Sequence, residues 1–236
     1  MIRFWMRGVG VRSAALYVVM LASALILGCG GGDAQAEPTV VVPTATPVVE
    51  AFDVGRFADV PGIVDPSNFE WPRSIETSEG VITLDAPPER VHSLSLGHSE
   101  ILAALMDFDR LTAVYSFFVD DEQSNISTLS ADHTLIGFAP EEVVALEPEV
   151  IIASRFTNAD TVALMTGANI PVARASLENS ALGNVPNILL IGYMIGAEVE
   201  AIELADDIEG RMQVIADALP DGEKPRALSV SKGTSA

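Results

Sequence analysis

Cysteine and basic residues are scarce in this sequence, and each scarcity argues against a class of protein. The 236 residues include one cysteine, Cys29, and three histidines. A lone cysteine excludes a disulfide within the chain, a dithiol redox centre and a thiolate metal cluster. Thirteen lysines and arginines stand against 33 acidic residues, a formal net charge of -20. This acidity disfavours nucleic acid as a partner, because such binding depends on contacts from basic side chains to phosphates.

Signature motifs of catalysis are also missing. The sequence contains no Gly-x-Ser-x-Gly elbow, phosphate-binding loop, pair of zinc-binding histidines or Cys-x-x-Cys motif. One trio of serine, histidine and glutamate can be written from Ser99, His98 and Glu100. Neighbours in sequence point in different directions and cannot form a relay of nucleophile, base and orienting acid. We therefore predict a protein that is not an enzyme and has no cofactor of its own.

The N-terminus has the layout of a secretion signal. Three arginines stand within the first 12 residues, and the almost wholly apolar stretch 14–27 follows them. This stretch is shorter than the roughly 20 apolar residues that a membrane-spanning helix needs. The run Ile26-Leu27-Gly28-Cys29 resembles the bacterial lipobox, which implies cleavage before Cys29 and lipid attachment to it. We predict an exported protein, anchored by lipid to the outer face of the cytoplasmic membrane. An uncleaved anchor is the alternative and gives the same topology.

Composition and patterning divide the chain into five segments. Residues 30–50 mix glycine, alanine, threonine and proline without a period, which is typical of a flexible linker. Short apolar strands then alternate with helical patterns, which indicates an α/β fold with a parallel sheet flanked by helices. The predicted segments are a signal peptide 1–28, a lipidated N-terminus and linker 29–67, an N-terminal α/β lobe 68–183, a helical segment 184–219, and the start of a second α/β lobe 220–236.

Apolar runs locate the strands. Residues 73–77 and 81–84 alternate apolar and polar positions around Ser78-Glu79-Gly80, which predicts a β-hairpin. Short runs rich in Val, Ile, Leu and Ala predict further strands at 90–95, 111–115, 150–154 and 171–175. A last strand is predicted at 226–230. The sequence ends six residues later, so we expect the second lobe to be truncated.

Helical patterns fill the intervals between the strands. Residues 99–106 place their apolar side chains on one face, and Pro140 with two acidic residues is typical of the first turn of a helix. A third helix is predicted at 158–166. The stretch 184–219 predicts a long helical segment, broken near Gly192 or Gly196, that is long enough to brace two lobes.

The order of these elements resembles a known family. The segments PERVHSLSLGHSEILAAL, RLTAVYSF, IGFAPEEVVALEPEVIIAS and NIPVARAS are similar to the N-terminal lobe of the substrate-binding proteins of bacterial ABC importers for iron-siderophores, haem and cobalamin. The likeness covers roughly residues 70 to 232. It implies two α/β lobes joined by a rigid helix within 184–219, with the ligand between the lobes. It also implies docking of the loaded, monomeric protein on a permease that works with an ATPase.

The first candidate loop follows the first strand of the sheet. Ligands of open α/β sheets bind where strands end and helices begin, so Gly97, His98 and Ser99 are candidate ligand-binding residues. Ser99 matches a family position, whereas His98 departs from the family pattern. Two roles stay open for His98: direct ligation of a metal or metal chelate, or hydrogen bonding at the start of the helix.

Aromatic and cationic residues follow two other strands. Tyr115 and Phe117 stand at a strand end, where flat rings suit a macrocycle or a catecholate, although either ring could instead cap the core. Arg155 and Phe156 follow strand 150–154. The Arg155 fork suits carboxylates and anionic iron-chelate groups, or it pairs with Glu149 or Asp160 on the surface.

Glu141 has a different predicted role. Its position in GFAPEEVVAL matches the glutamate that in relatives meets an arginine pocket on the permease, although an acid in a first helical turn also favours the helix dipole without a partner. The leading hypothesis is thus an extracytoplasmic lipoprotein that binds a ferric siderophore, haem or cobalamin and delivers it to an ABC importer permease. The alternative is a membrane-tethered sensing or structural lipoprotein that keeps the lobe without transport.

Overall fold

The computed structural model describes residues 52–220 and Gly222. Outside these residues lie the predicted signal peptide 1–28, the predicted lipidation site Cys29, most of the predicted linker and the strand predicted at 226–230. The hairpin strands are β1 (Arg73–Thr77) and β2 (Gly80–Leu84). The remaining elements, in chain order, are β3 (Val91–Ser93), α1 (Leu96–Leu105), β4 (Val114–Tyr115), α2 (Ser127–Ser130), β5 (Leu135–Ile136), α3 (Pro140–Ala145), β6 (Val150–Ser154), α4 (Ala159–Gly167), β7 (Val172–Ala175), α5 (Val185–Ile195) and α6 (Glu198–Ala218).

A parallel sheet forms the centre of the lobe. Strand β6 lies between β3 and β7, and both pairings are parallel. Strands β4 and β5 also pair in parallel. A parallel bridge between Val91 and Leu111 joins the run that leads into β4 to β3, so the spatial order is β5, β4, β3, β6, β7. Because every pairing is parallel, the carboxyl ends of all five strands meet at one edge of the sheet.

Burial explains why the strands are continuously apolar. In β6, residues 150–153 are fully buried, as expected for a central strand covered by helices on both faces. The predicted strand 150–154 is confirmed to the residue. The predicted strand 111–115 is shorter in the structure, because only Val114 and Tyr115 pair as strand residues with β5.

Capping residues set where the helices begin. The Ser95 side chain accepts a hydrogen bond from the His98 backbone N–H, so α1 begins at Leu96 and not at the predicted residue 99. Asn158 caps α4 in the same way through the N–H of Asp160. Helix α3 begins at Pro140, whose fixed φ suits a first helical turn, as predicted.

Gly196 divides the long helical segment. It takes a left-handed conformation with φ 73°, which ends α5, and α6 begins two residues later. Gly192 serves a different purpose: an added Cβ there would lie 2.3 Å from the Ala201 Cβ, so the missing side chain lets α5 and α6 pack closely. The predicted break is therefore at the second of the two glycines.

Residues before the hairpin belong to the folded lobe. Phe57 is fully buried and Val60 nearly so, and both are part of the hydrophobic core. Phe57 packs edge-on against Phe52 and Phe69. The predicted boundary between linker and lobe at residue 67 therefore lies too far along the chain, because isolated aromatic residues in a polar stretch have no periodicity that reveals their burial.

Candidate functional site

The carboxyl edge of the sheet collects the loops that follow its strands. The loops after β4 and β5 stand at one end of this edge, and those after β6 and β7 stand at the other. In open α/β sheets this edge is where ligands bind, because backbone amides and helix starts converge there. All candidate binding residues from the sequence lie in or next to these loops.

Four rings at one end of the edge form what we call the aromatic patch: Tyr115, Phe117, Phe118 and Phe138. Phe138 is 71% exposed and stacks on Tyr115, with ring centroids 4.9 Å apart and an interplanar angle of 16°. Phe117 is 42% exposed and lies 6.1 Å from Phe138 between ring centroids. The two exposed phenyl rings, tilted by 42° to one another, form an apolar surface at the ligand edge of the sheet.

The other two rings support the exposed pair from below. Tyr115 and Phe118 are buried and meet edge to face at 5.4 Å. The chain turns into a short 3-10 helix at residues 116–119, so Phe117 points outwards while Phe118 enters the core. Burial, and to a smaller extent the Glu142 carboxylate, raises the pKa of Tyr115 to about 12. The Tyr115 phenol is therefore neutral at physiological pH. Of the two aromatics predicted from the sequence, Phe117 is exposed at the edge, whereas Tyr115 is buried and supports Phe138.

Arg155 and Phe156 stand at the other end of the edge, directly after β6. Phe156 is 80% exposed, and the Arg155 guanidinium lies over its ring at 5.0 Å from the centroid. Arg155 pairs with Glu178 at 4.0 Å and not with either predicted partner. Glu149 instead accepts hydrogen bonds from the backbone N–H groups of Glu89 and Arg90.

His98 and Ser99 lie beneath the edge. His98 is fully buried, and its Nδ1 is 2.7 Å from the Ser95 hydroxyl. Burial, only partly opposed by the Ser176 backbone, lowers the pKa of His98 to about 4, so the ring is neutral at physiological pH. Ser99 is also buried and donates to the Ser95 carbonyl oxygen at 3.0 Å. His98 Nδ1 takes part in the hydrogen bonding at the start of α1, which is one of the two roles left open for it, whereas its buried Nε2 has no hydrogen-bond partner among the described residues. Contact of His98 and Ser99 with a ligand stays a prediction.

Gly97 packs against the loop after β7. An added Cβ at Gly97 would lie 2.9 Å from the Leu177 Cδ1, so the glycine allows the start of α1 to approach that loop. Among residues 52–220 and Gly222, no group of three or more His, Cys, Asp or Glu side chains is arranged to hold a metal ion.

Glu141 and its neighbour Glu142 differ in what they contact. Both are exposed in the first turn of α3. Glu142 accepts a hydrogen bond from the Gly137 N–H at 2.9 Å and so holds the loop that carries Phe138. The Glu141 carboxylate has no hydrogen bond or ion pair within the described part of the chain. Its charge is available to a partner.

Two residues of the site were missed from the sequence. Phe138 follows β5, a two-residue strand too short for its apolar pattern to stand out, and so it was not recognised as a strand-end residue. Ser95 organises the loop below the edge, since its backbone carbonyl accepts from Ser93 and Ser99 and its hydroxyl contacts His98. A signal for Ser95 is present in the sequence, because a serine directly before the first apolar residue of a helical pattern, here Leu96, is a typical N-cap.

Comparison with known proteins agrees with this architecture. The chain is 29% identical over 156 residues to a cobalamin-binding protein of Halobacterium salinarum, found in two strains of that organism. The matched region covers 64% of this chain and 41% of that protein. The chain therefore spans less than half the length of these curated relatives. No protein-family model matches the chain.

Solved structures share the fold. The siderophore-binding protein BauB, bound to a complex of two acinetobactin molecules and ferric iron, has a TM-score of 0.53 at 15% identity, covering 62% of this chain and 54% of BauB. A variant of the haem-binding protein HmuT has a TM-score of 0.51 at 17% identity, covering 69% of this chain and 53% of HmuT. The α/β lobe with a parallel sheet flanked by helices, and the resemblance predicted from the sequence, are confirmed. Within residues 52–220, no helix is both long and apolar enough to span a membrane.

Proposed function

We propose that this chain, which has the α/β fold of periplasmic substrate-binding proteins, captures a metal chelate outside the cytoplasm and delivers it to the permease of an ABC importer. The ligand class is a ferric siderophore, haem or a cobalamin-type molecule. These are the ligands that the names of the relative and of the structural neighbours give for those proteins. Lipid on Cys29 would hold the carrier close to its permease and raise its effective concentration there.

The observation that carries this proposal is the aromatic patch. Phe138 lies mostly exposed on a stacked ring, at the edge of the sheet where ligands bind in this class of fold. A soluble protein gains nothing in stability from a mostly exposed phenyl ring, whereas a ligand with a flat unsaturated surface gains contact area from it. Phe117 extends the same surface, and Tyr115 fixes the orientation of the Phe138 ring beneath the ligand.

The chemistry of the edge supports a chelate with two kinds of surface. The aromatic patch suits a macrocycle or catecholate ring, and Arg155 with Phe156 at the other end suits anionic or unsaturated groups. With adjacent strands about 4.8 Å apart, the edge from β5 to β6 is roughly 14 Å long. That length matches a large chelate better than a single amino acid or a simple sugar. The buried His98 acts from below by fixing the loop that starts α1.

The ligand class is tested by a thermal-shift panel on the purified full chain. Haem, cobalamin, a ferric catecholate siderophore and a ferric hydroxamate siderophore are each added at the same concentration. A ligand that binds only the folded state raises the unfolding midpoint, by an amount that grows with its concentration over its dissociation constant. A rise with one class and not the others assigns the ligand. No rise with any of the four contradicts the proposed function.

Glu141 is the residue that we propose for docking on the permease. Its carboxylate is exposed and unengaged within the described residues, whereas Glu142 beside it holds Gly137. Glu141→Arg is expected to abolish import of the chelate in cells while leaving chelate affinity unchanged in solution. Glu203→Arg, an equally drastic change at an exposed position of α6, is the control. Import unaffected by Glu141→Arg would rule out docking through this residue.

A further inference from the structure

A second concave site lies at the end of the carboxyl edge opposite the aromatic patch. It is a groove of about 330 Å³ between the β1–β2 hairpin, the end of β7 and the first half of α5. Arg155, Arg174, Ser176 and Asn187 are among the residues that line it. Its polar lining contrasts with the phenyl rings of the aromatic patch, so the two ends of the edge suit different chemistry.

Asn187 is a largely buried polar residue that lines this groove. It belongs to α5, a helix whose other buried side chains are almost all apolar, and it is only 9% exposed. Its side-chain amide lines the groove and has no hydrogen-bond partner among the residues that the structure describes. The Asn187 amide atoms are not among the fully buried side-chain atoms without a partner, so they are accessible from the groove, where they offer a hydrogen-bond donor and an acceptor to a ligand.

The two arginines of the groove have different tasks. Arg174 pairs with Glu79 through Nε and donates through Nη1 to the backbone carbonyls of Ser154, Arg155 and Thr157. These bonds fix the backbone of the loop that carries Arg155. The Arg155 side chain is 54% exposed, and its one ion pair, with Glu178, is 4.0 Å long. The Arg155 guanidinium therefore keeps hydrogen-bond donors free at a position that Arg174 holds in place.

We propose that this groove is a binding site for a small carboxylate. The Arg155 guanidinium forms a forked pair with the carboxylate, and the Asn187 amide hydrogen-bonds a second polar group at the far end of the molecule. Glu76 lines the hairpin wall of the groove, so its negative charge directs a carboxylate to the arginine side. This site shares Arg155 with the edge proposed for the chelate, but it goes beyond the proposed function because it does not involve the aromatic patch and needs no metal in the ligand.

Succinate is the probe, with succinamide as its neutral counterpart of the same length. Isothermal titration of the purified full chain is expected to show one site for succinate and at least tenfold weaker binding of succinamide. Asn187→Asp keeps the size of the side chain but places a carboxylate in the groove. Arg155→Gln removes the guanidinium. Each is expected to weaken succinate binding at least tenfold. Arg211→Gln, which removes an exposed arginine from α6, is the matched control and leaves succinate affinity unchanged.

The Arg155→Gln variant keeps the test decisive even if Asn187→Asp fails to fold, because Arg155 is exposed and its loss leaves no buried gap. Absence of succinate binding to the wild-type chain at millimolar concentration overturns the proposal. Succinate affinity unchanged by Arg155→Gln, or equal affinity for succinamide, also overturns it. Arg155 also belongs to the edge proposed for the chelate, so the Arg155→Gln test is read with succinate alone. The thermal-shift panel tests chelate binding by the wild-type chain separately, so failure of succinate binding and failure of the proposed function are distinguishable.

Discussion

Arg73 of β1 and Glu198 of α6 form a buried ion pair that fastens the hairpin to the helical segment. The Arg73 guanidinium also donates to the backbone carbonyls of Tyr193 and Phe69, and it lies over the Trp71 ring at 4.3 Å from the centroid. The pair thus joins the start of the lobe to the turn between α5 and α6. It holds in place the segment that the resemblance assigns to the connection between lobes.

Removing one partner of this pair is expected to be costly. Glu198→Ala leaves the Arg73 charge buried without its carboxylate, which typically lowers the free energy of unfolding by about 3–5 kcal/mol. Urea unfolding followed by circular dichroism measures the change. The control is Asp207→Ala, which breaks an exposed pair with Arg211 on α6 and costs no more than about 0.5 kcal/mol. Equal effects of the two substitutions would show that Glu198 is no more important than a surface acid.

Two glycines of the helical segment predict opposite responses to alanine. At Gly192 an added Cβ would lie 2.3 Å from the Ala201 Cβ and 2.9 Å from the Ala197 carbonyl oxygen, so Gly192→Ala forces α5 and α6 apart and costs about 1–3 kcal/mol. At Gly210, within α6, nothing lies within 4 Å of an added Cβ. Gly210→Ala therefore stabilises the protein by about 0.4–1 kcal/mol. Thermal unfolding of the two variants distinguishes them by the sign of the midpoint change.

Two buried histidines predict a loss of stability in acid. Burial lowers the pKa values of His92 and His98 from 6.5 to about 4. Their folded-state pKa values are below the unfolded ones. Above about pH 6.5 both histidines are mostly unprotonated in the folded and the unfolded chain, so they do not affect the free energy of unfolding there. Stability is then lost as the pH falls towards 4, because the unfolded chain binds protons that the folded chain does not.

The double variant His92→Gln, His98→Gln removes these two titrations. The free energy of unfolding of wild type and variant is measured at intervals between pH 7 and pH 4.5. The wild type is expected to lose on the order of 2 kcal/mol or more relative to the variant over this range. Parallel pH profiles would mean that the two rings are accessible to protons in the folded state.

If Cys29 carries the predicted lipid, membrane association of the protein depends on the sulfur atom of this one residue. The predicted acylation of its sulfur would place the protein in the membrane fraction, and Cys29→Ser removes the sulfur while leaving the rest of the sequence intact. The variant is expected to appear in the soluble extracytoplasmic fraction or as an unprocessed precursor. Mass spectrometry of the N-terminal peptide reports the lipid directly. Membrane retention of a processed Cys29→Ser protein would contradict lipid anchoring at this residue.

The sequence predicted most of the fold, because its strands and helices are long enough for their periodicity to be read. Strand β6, with four consecutive fully buried residues, was placed to the residue, and the break in the helical segment was placed at one of two glycines. The two-residue strand β5 carries no such periodicity, and with it Phe138 was missed. The same holds for Phe57, whose burial depends on partners distant in sequence.

The candidate site was harder to predict than the fold. The sequence pattern predicts that His98 and Phe117 both lie at the carboxyl edge of the sheet. Only the three-dimensional arrangement shows that the His98 ring is buried and the Phe117 ring is exposed. The Arg73–Glu198 pair joins residues 125 positions apart, a separation over which no spacing rule applies. Asn187 is a polar residue on an otherwise apolar helix, and the sequence alone does not show that it lines the groove.

The most direct test of the account is the affinity of the full chain for the chelate that the thermal-shift panel selects, measured for wild type and for Phe138→Ala. Phe138 is 71% exposed, so its loss leaves the fold intact and any change reports on binding. Val81→Ala, at an exposed apolar position of the hairpin, is the control. A loss of at least about tenfold in affinity for Phe138→Ala, with none for Val81→Ala, is the predicted result. Equal affinity of the three proteins for the chelate would contradict binding at the aromatic patch.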